Sequence, residues 1–124
     1  MSISKTDQLE IEQVSTPEGF QIIRINGWIT LKNVAALEEA IGKTRGSHTI
    51  IDLTGVHYVD SAGLGTLLRG YVGSQKYGGQ FVLAGVGQKV RDLLQLTKIE
   101  SLFRIYATPE EAAAAVAKSA AAGA

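Results

Sequence analysis

A serine that follows an apolar segment is the residue best suited to chemistry. Ser61 stands in the heptapeptide VDSAGLG at positions 59–65. A hydrolase nucleophile elbow needs Gly-x-Ser-x-Gly, and Val59 occupies the place of its first glycine. The elbow also needs a later histidine, whereas His48 and His57 both precede Ser61. We predict no catalytic residues and keep a small hydrolase as a minor alternative, because other triads use other chain orders.

The glycines after Ser61 could indicate a phosphate-binding loop. Gly63 and Gly65 match the first two glycines of Gly-x-Gly-x-x-Gly, but Leu68 stands where the third is needed. A Walker loop is excluded because Gly-Lys-Ser/Thr occurs nowhere in the chain. A nucleotide-binding enzyme is therefore a minor alternative too. Small residues at a helix start instead favour a flat surface on which another protein can lie close to the backbone.

Carboxylates and imidazoles near this segment do not suggest a metal site. The spacings of His48, Asp52, His57 and Asp60 match no common metal motif, and Asp52 lies within an apolar run. The chain has no cysteine, which excludes a disulfide, a thiolate zinc site and a thiol nucleophile. We expect capping or loop hydrogen bonds from these four side chains. We predict neither a metal nor another cofactor.

Composition limits the class of protein. The chain has 124 residues, with 12 lysines and arginines against 12 aspartates and glutamates. This length suits one domain, and the zero net charge argues against direct nucleic-acid binding, which needs a basic excess. No apolar stretch approaches the roughly 20 residues of a membrane span, and residues 1–7 lack the apolar core of a signal peptide. We expect a soluble cytoplasmic protein without membrane association.

Hydrophobic periodicity predicts the order β-β-α-β-α-β-α-β-α. The first two strands and the short turn between them predict an N-terminal hairpin. Later apolar runs are typical of buried parallel strands. The predicted fold is a single α/β domain, a small mostly parallel sheet with about four flanking helices. The strands are expected near residues 9–12, 20–25, 49–53, 80–84 and 104–106.

Helix signals lie between these strands. Asn33 is the expected N-cap of the first helix, and Gly78 ends the second. Thr108 begins a capping box with Pro109 at the first helical position of the last helix. The second helix carries a wide apolar stripe, of which we expect Leu64 to stay exposed beside the serine. The members of the stripe are Leu64, Leu67, Leu68, Tyr71 and Val72.

No linker divides the chain into domains. We predict an N-terminal tail over residues 1–8, one domain over 9–117 and an alanine-rich tail over 118–124. Alanine is the best helix former, so we expect the last helix to continue for some turns into this tail before it frays.

The chain from about Leu9 to Val116 resembles the STAS domain, the family of bacterial anti-sigma factor antagonists. The Asp-Ser-x-Gly-Leu-Gly core is specific when it follows such a strand, and the match covers nearly the whole chain. The family's small, mostly parallel sheet agrees with the order of elements above. The segments that carry the resemblance are IIDLT at 50–54, YVDSAGLG at 58–65, GQFVLAGV at 79–86 and VRDLLQLT at 90–97.

The resemblance implies a partner-switching role in sigma-dependent transcription. In such systems the unphosphorylated antagonist binds an anti-sigma factor that is also a serine kinase, and a sigma factor is released. The kinase phosphorylates one serine of the antagonist, which then dissociates, and a serine phosphatase restores the unmodified form. By position the acceptor is Ser61, and the docking surface would include Asp60, Gly63, Leu64 and Gly65.

Three positions bear on the identity of the partner. Thr30 stands where family antagonists often carry an aspartate that helps to bind the kinase, and nearby Trp28 is unusual. Ala62 replaces the second serine common in Asp-Ser-Ser, which leaves one candidate acceptor at that site. We predict partner contacts at all three positions. Trp28 could belong to the core or to an exposed rim, since aromatic residues are enriched at interfaces.

The family also includes non-catalytic roles in which Ser61 need not be phosphorylated. These are a scaffold in a stressosome-like assembly and a small subunit of a lipid-transport ABC complex. The intact Asp60–Ser61 pair favours the phosphorylated switch. The sequence is also compatible with a homodimer and does not decide between one copy and two.

Overall fold

The computed structural model describes residues 8–122. Its strands are β1 (Leu9–Ser15), β2 (Gln21–Ile29), β3 (Thr49–Val59), β4 (Phe81–Ala84) and β5 (Ile105–Tyr106). Its helices are α1 (Val34–Gly42), α2 (Ser61–Tyr77), α3 (Gln88–Leu96) and α4 (Pro109–Ala122), with a short 3-10 helix at Glu100–Leu102. The predicted order is confirmed. Residues 1–7 and 123–124, which belong to the two predicted tails, lie outside the described residues.

One sheet carries the five strands in sequence order, β1-β2-β3-β4-β5. β1 pairs antiparallel with β2, which confirms the hairpin, and every later pair is parallel. Two backbone hydrogen bonds close the hairpin turn, from the Thr16 N–H to the Phe20 carbonyl at 2.8 Å and from the Gly19 N–H to the Thr16 carbonyl at 2.9 Å. Parallel neighbours need crossover connections, and α1, α2 and α3 provide them.

Helices cover both faces of the sheet. The larger core joins β2 and β3 to α1, α2 and α3, and the smaller core joins β3 and β4 to α4. Ile50 and Ile51 show this division, because successive strand residues point to opposite faces. Ile50 shares a cluster with Val116 of α4, whereas Ile51 shares one with Leu37 of α1. Both isoleucines are fully buried.

β2 and β3 are longer than the apolar runs that predicted them. They continue to Ile29 and Val59, and these two residues lie opposite each other in the sheet. β4 ends at Ala84, opposite Asp52, so the final part of β3 has β2 beside it but not β4. This part of the sheet is open enough for polar residues such as the exposed His57, which interrupted the apolar pattern.

Two helix ends form as the sequence predicts. α2 ends at Tyr77 and is capped by Gly78, whose φ of 80° is the left-handed conformation that favours glycine. α4 begins at Pro109, and the backbone N–H of Glu111 donates to Oγ1 of Thr108 at 3.1 Å. α4 runs to Ala122, so the alanine-rich segment continues the last helix.

Two glycines of α2 have different surroundings. A methyl group on Gly70 would lie 2.6 Å from the Phe81 ring, whereas one on Gly73 would meet nothing within 4 Å. Gly73→Ala should stabilise the fold by roughly 0.5–1 kcal/mol, because alanine favours a helix. Gly70→Ala should be less stable than Gly73→Ala by about 1–3 kcal/mol, because the core is overfilled. Urea denaturation measures both, and equal stabilities would contradict the close approach of α2 to β4.

Candidate functional site at the start of helix α2

The carboxylate of Asp60 fixes the start of α2. Its Oδ1 accepts a hydrogen bond from the backbone N–H of Gly63 at 2.9 Å, as expected of an N-cap residue. Its Oδ2 accepts another from the backbone N–H of Leu31 at 2.9 Å. The Asp60 N–H donates to the carbonyl of Ile29 at 3.0 Å. One residue therefore ties the helix to the connection between β2 and α1.

Ser61 is the first residue of α2 and is exposed. Both oxygens of the neighbouring Asp60 carboxylate bond backbone groups, and no described residue makes a hydrogen bond to the Ser61 hydroxyl. The backbone N–H groups in the first turn of a helix lack partners within the helix and favour a nearby anion. A negative group at Ser61 is therefore compatible with the fold.

Gly63 supports the site through packing. A methyl group at this position would lie 2.7 Å from Cγ2 of Ile29 and 2.8 Å from Cγ1 of Val59. Glycine is needed for α2 to approach the ends of β2 and β3 this closely. Ala62 and Gly65 are half-buried in the same turn. Partner contacts at Ala62, Gly63 and Gly65 stay predictions.

The prediction that Leu64 is the exposed member of the α2 stripe is wrong. Its side chain is 7% exposed and belongs to the larger core together with Leu67. The most exposed member is Val72, which is 59% exposed and lies farther along the helix. The reason is the length of β2 and β3, whose final residues Ile29 and Val59 extend the core as far as the first turn of α2. Leu64 therefore supports the surface from beneath.

The side chain of Asn33 closes the connection between β2 and α1. Its Oδ1 accepts a hydrogen bond from the Thr30 N–H at 3.0 Å, and its Nδ2 donates to the Trp28 carbonyl at 2.7 Å. Asn33 holds the N-cap position, as predicted, but makes no side-chain capping bond. Oγ1 of Thr30 is buried and has no hydrogen-bond partner among the described residues. The Thr30 hydroxyl therefore does not reach the surface, and a partner contact at this residue stays a prediction.

Trp28 and Tyr58 form an exposed aromatic pair. They lie opposite each other on β2 and β3, with ring centroids 5.1 Å apart and planes inclined at 46°. Trp28 is 37% exposed and Tyr58 is 42% exposed. Of the two interpretations left open for Trp28, the structure therefore confirms the exposed one. Sequence reasoning did not select Tyr58, although strand alternation from the buried Val59 indicates the opposite face.

A groove of about 350 Å³ separates the start of α2 from α3. Leu96, at the end of α3, is 79% exposed, and Leu31, whose N–H bonds to Asp60, is 75% exposed. Sequence reasoning selected neither leucine, because their exposure depends on how the helices and loops are arranged. The groove is lined on one side by Tyr58, Ser61 and Leu64 and on the other by Lys89, Asp92 and Leu96.

Two of the remaining titratable candidates, Asp52 and His48, make the expected hydrogen bonds. The exposed side chain of His57 makes none with the described residues, so the expectation is wrong for this residue. No histidine lines the groove, and within residues 8–122 no group of three His, Asp or Glu side chains could hold a metal ion. The buried Asp52 accepts hydrogen bonds from Nε of Arg24 at 3.2 Å and from the Thr54 N–H at 3.0 Å. Nδ1 of His48 accepts one from the Gln80 N–H at 2.9 Å. In the same part of the chain, no helix is long and apolar enough to cross a membrane.

The fold and the site together define a small α/β domain that presents one exposed serine within an apolar surface, an arrangement typical of protein-binding modules. A model of the STAS domain matches residues 12–112. The chain belongs to the STAS domain family. The predicted resemblance and the predicted fold class are both confirmed.

Several relatives of known name are similar to the chain. It is 34% identical over 105 residues to the anti-sigma-F factor antagonist RsfB of Mycobacterium tuberculosis, which covers 80% of this chain and 83% of that protein. It is 28% identical over 103 residues to the anti-sigma F factor antagonist of Paenibacillus polymyxa, which covers 80% and 86%. The crystal structure of an anti-sigma factor antagonist from Mycobacterium paratuberculosis matches with a TM-score of 0.82 and 28% identity, over 92% of this chain and 98% of that one.

Two leucines of the groove should respond differently to truncation. Leu64→Ala should lower the free energy of unfolding by about 2–5 kcal/mol, because it leaves a cavity in the core. Leu96→Ala should change it by less than about 0.5 kcal/mol, because this side chain is exposed. Thermal and urea denaturation of both variants measure the difference. If Leu64→Ala lowers the free energy of unfolding as little as Leu96→Ala does, the side chain of Leu64 lies at the surface and not in the core.

Proposed function

We propose that the protein is an anti-sigma factor antagonist that acts in the cytoplasm as a phosphorylation-controlled partner switch. Unmodified Ser61 lies in the surface that binds an anti-sigma factor with serine kinase activity, and this binding releases a sigma factor. The names of the curated relatives support the class of partner. The observation that carries the proposal is the exposed serine beside exposed apolar side chains.

Four apolar side chains make the surface suitable for a protein partner. Tyr58 and Leu96 line the groove together with Ser61. The exposed Trp28 contacts the ring of Tyr58, and the exposed Leu31 bonds through its backbone to Asp60, the residue before the serine. Tryptophan and tyrosine are enriched among the residues that dominate binding energy at interfaces. Burial of this surface against a partner supplies the affinity of the unmodified form.

Phosphorylation changes this surface without changing the fold. The kinase transfers the terminal phosphoryl group of ATP to the Ser61 hydroxyl, which loses its proton. The product carries roughly −1.5 to −2 charge at neutral pH. In a close interface this group must lose water, which is costly without a basic partner group. The partner then dissociates, and a serine phosphatase removes the phosphate to restore binding.

The β2–α1 connection adjusts the choice of partner. The family resemblance places an acidic contact at the position of Thr30, whose hydroxyl oxygen is buried here. Trp28 and Leu31 are the exposed side chains on either side of it. We expect the partner to present an apolar area to these two residues rather than a cation to position 30.

Charge at Ser61 should weaken partner binding and leave the fold intact. Ser61→Asp should lower affinity for the anti-sigma factor of the same organism at least tenfold, which corresponds to about 1.4 kcal/mol. Ser61→Ala should bind about as well as the wild type and resist phosphorylation by the kinase. Calorimetric titration, thermal denaturation and mass spectrometry after incubation with ATP measure the three effects.

Ser101→Asp is the matched control for added charge. Ser101 is exposed in the 3-10 helix, outside the residues that line the groove. This variant should bind like the wild type. Tight binding by Ser61→Asp, or its unfolding, would contradict the switch.

The proposed function includes no catalytic activity of the protein itself. No histidine lines the groove that holds Ser61, so a serine–histidine pair for nucleophilic catalysis is missing at this site. We expect the purified protein to hydrolyse neither generic esters nor ATP above the background rate. An activity that Ser61→Ala abolishes would disprove this part of the proposal.

A further inference from the structure

Lys89 is the only lysine or arginine among the residues that line the groove. It lies in the first turn of α3 and is exposed. Within residues 8–122 its ammonium group makes neither an ion pair nor a hydrogen bond. By contrast, Arg69 pairs with Glu38 at 2.6 Å and Arg91 with Glu100 at 3.0 Å. Lys89 is thus an available cation in the groove that holds Ser61.

The two carboxylates in the groove have other donors. Asp60 accepts the backbone N–H groups of Gly63 and Leu31. Asp92 accepts a hydrogen bond from Nε2 of Gln88 at 2.6 Å. Neither carboxylate forms an ion pair with Lys89, which leaves its ammonium group for an anion that enters the groove.

We propose that Lys89 binds the phosphoryl group of phosphorylated Ser61 across the groove between α2 and α3. This inference rests on the proposed function, because it requires phosphate at Ser61. The phosphate supplies roughly −1.5 to −2 charge at neutral pH and three acceptor oxygens. The lysine supplies three donors on a flexible four-carbon chain that adapts to their position.

This pairing makes the groove itself part of the switch. In the unmodified chain the groove is open, with Tyr58 and Leu96 among its lining residues. In the phosphorylated chain the phosphate and the ammonium group of Lys89 lie across it. The pair therefore fills the space that a partner side chain would occupy, in addition to placing the charge of the phosphate there.

Phosphoserine incorporated at position 61 during translation gives the modified chain without a kinase. Phosphorus NMR then follows the phosphate, whose second pKa is about 6 without neighbouring charges. A nearby cation favours the dianion, so Lys89→Gln should move the titration midpoint upward by about half a pH unit, typical of an exposed pair. Lys89→Arg should keep the wild-type midpoint. High salt, about 1 M, should reduce the difference between Lys89→Gln and the wild type.

Control variants separate Lys89 from other charges. Lys118→Gln, on α4 at the opposite face of the sheet, should leave the midpoint unchanged. Asp92→Asn should lower the midpoint, because a carboxylate in the groove is removed. Thermal denaturation of unmodified Lys89→Gln should match the wild type, since the replaced side chain is exposed.

An unchanged midpoint in Lys89→Gln would overturn the proposal. An upward shift in Lys32→Gln, with none in Lys89→Gln, would also overturn it. The phosphate would then interact with a lysine of the β2–α1 connection and not with the lysine of the groove. Failure of the proposed function gives a different result. In that case the serine kinase leaves Ser61 unmodified, while the introduced phosphoserine still reports its interaction with Lys89.

Discussion

Two hydrogen bonds to one carboxylate hold the functional surface together. Asp60 joins α2, through Gly63, to the β2–α1 connection, through Leu31. Hydrogen bonds to charged groups are worth about 1.5–3 kcal/mol, and these two fix the relative position of segments about 30 residues apart in sequence. The exposed Leu31 and the exposed Ser61 consequently present one surface. The residue that organises this surface is the neighbour of the serine that we propose as the switch.

The extended ends of β2 and β3 have two roles at once. Their inward residues, Ile29 and Val59, form the floor on which the first turn of α2 packs. Their outward residues, Trp28 and Tyr58, form the exposed aromatic pair. Strand alternation requires this combination, because successive side chains point to opposite faces. A firm base for Ser61 and an apolar area beside it therefore come from the same backbone.

The sequence predicted the order of elements, the hairpin and the caps at Gly78 and Thr108, because local patterns determine these features. It did not predict the full lengths of β2 and β3, since pairing between distant residues rather than apolar content extends these strands. The error at Leu64 has the same origin. The stripe on α2 is wider than the buried face, and only the position of Val59 beneath the helix decides which residue is covered. The place of Leu96 in the groove depends on where α3 lies relative to the start of α2. No local sequence pattern contains this information.

Trp28 is the only tryptophan of the chain, and it stands in the surface proposed for docking. Its indole ring is partly open to water and in contact with the ring of Tyr58. Indole fluorescence depends on the polarity around the ring, and no second tryptophan contributes to the signal. The protein therefore carries a natural optical reporter at the point where a partner would arrive, and association and release can be followed in real time without a label.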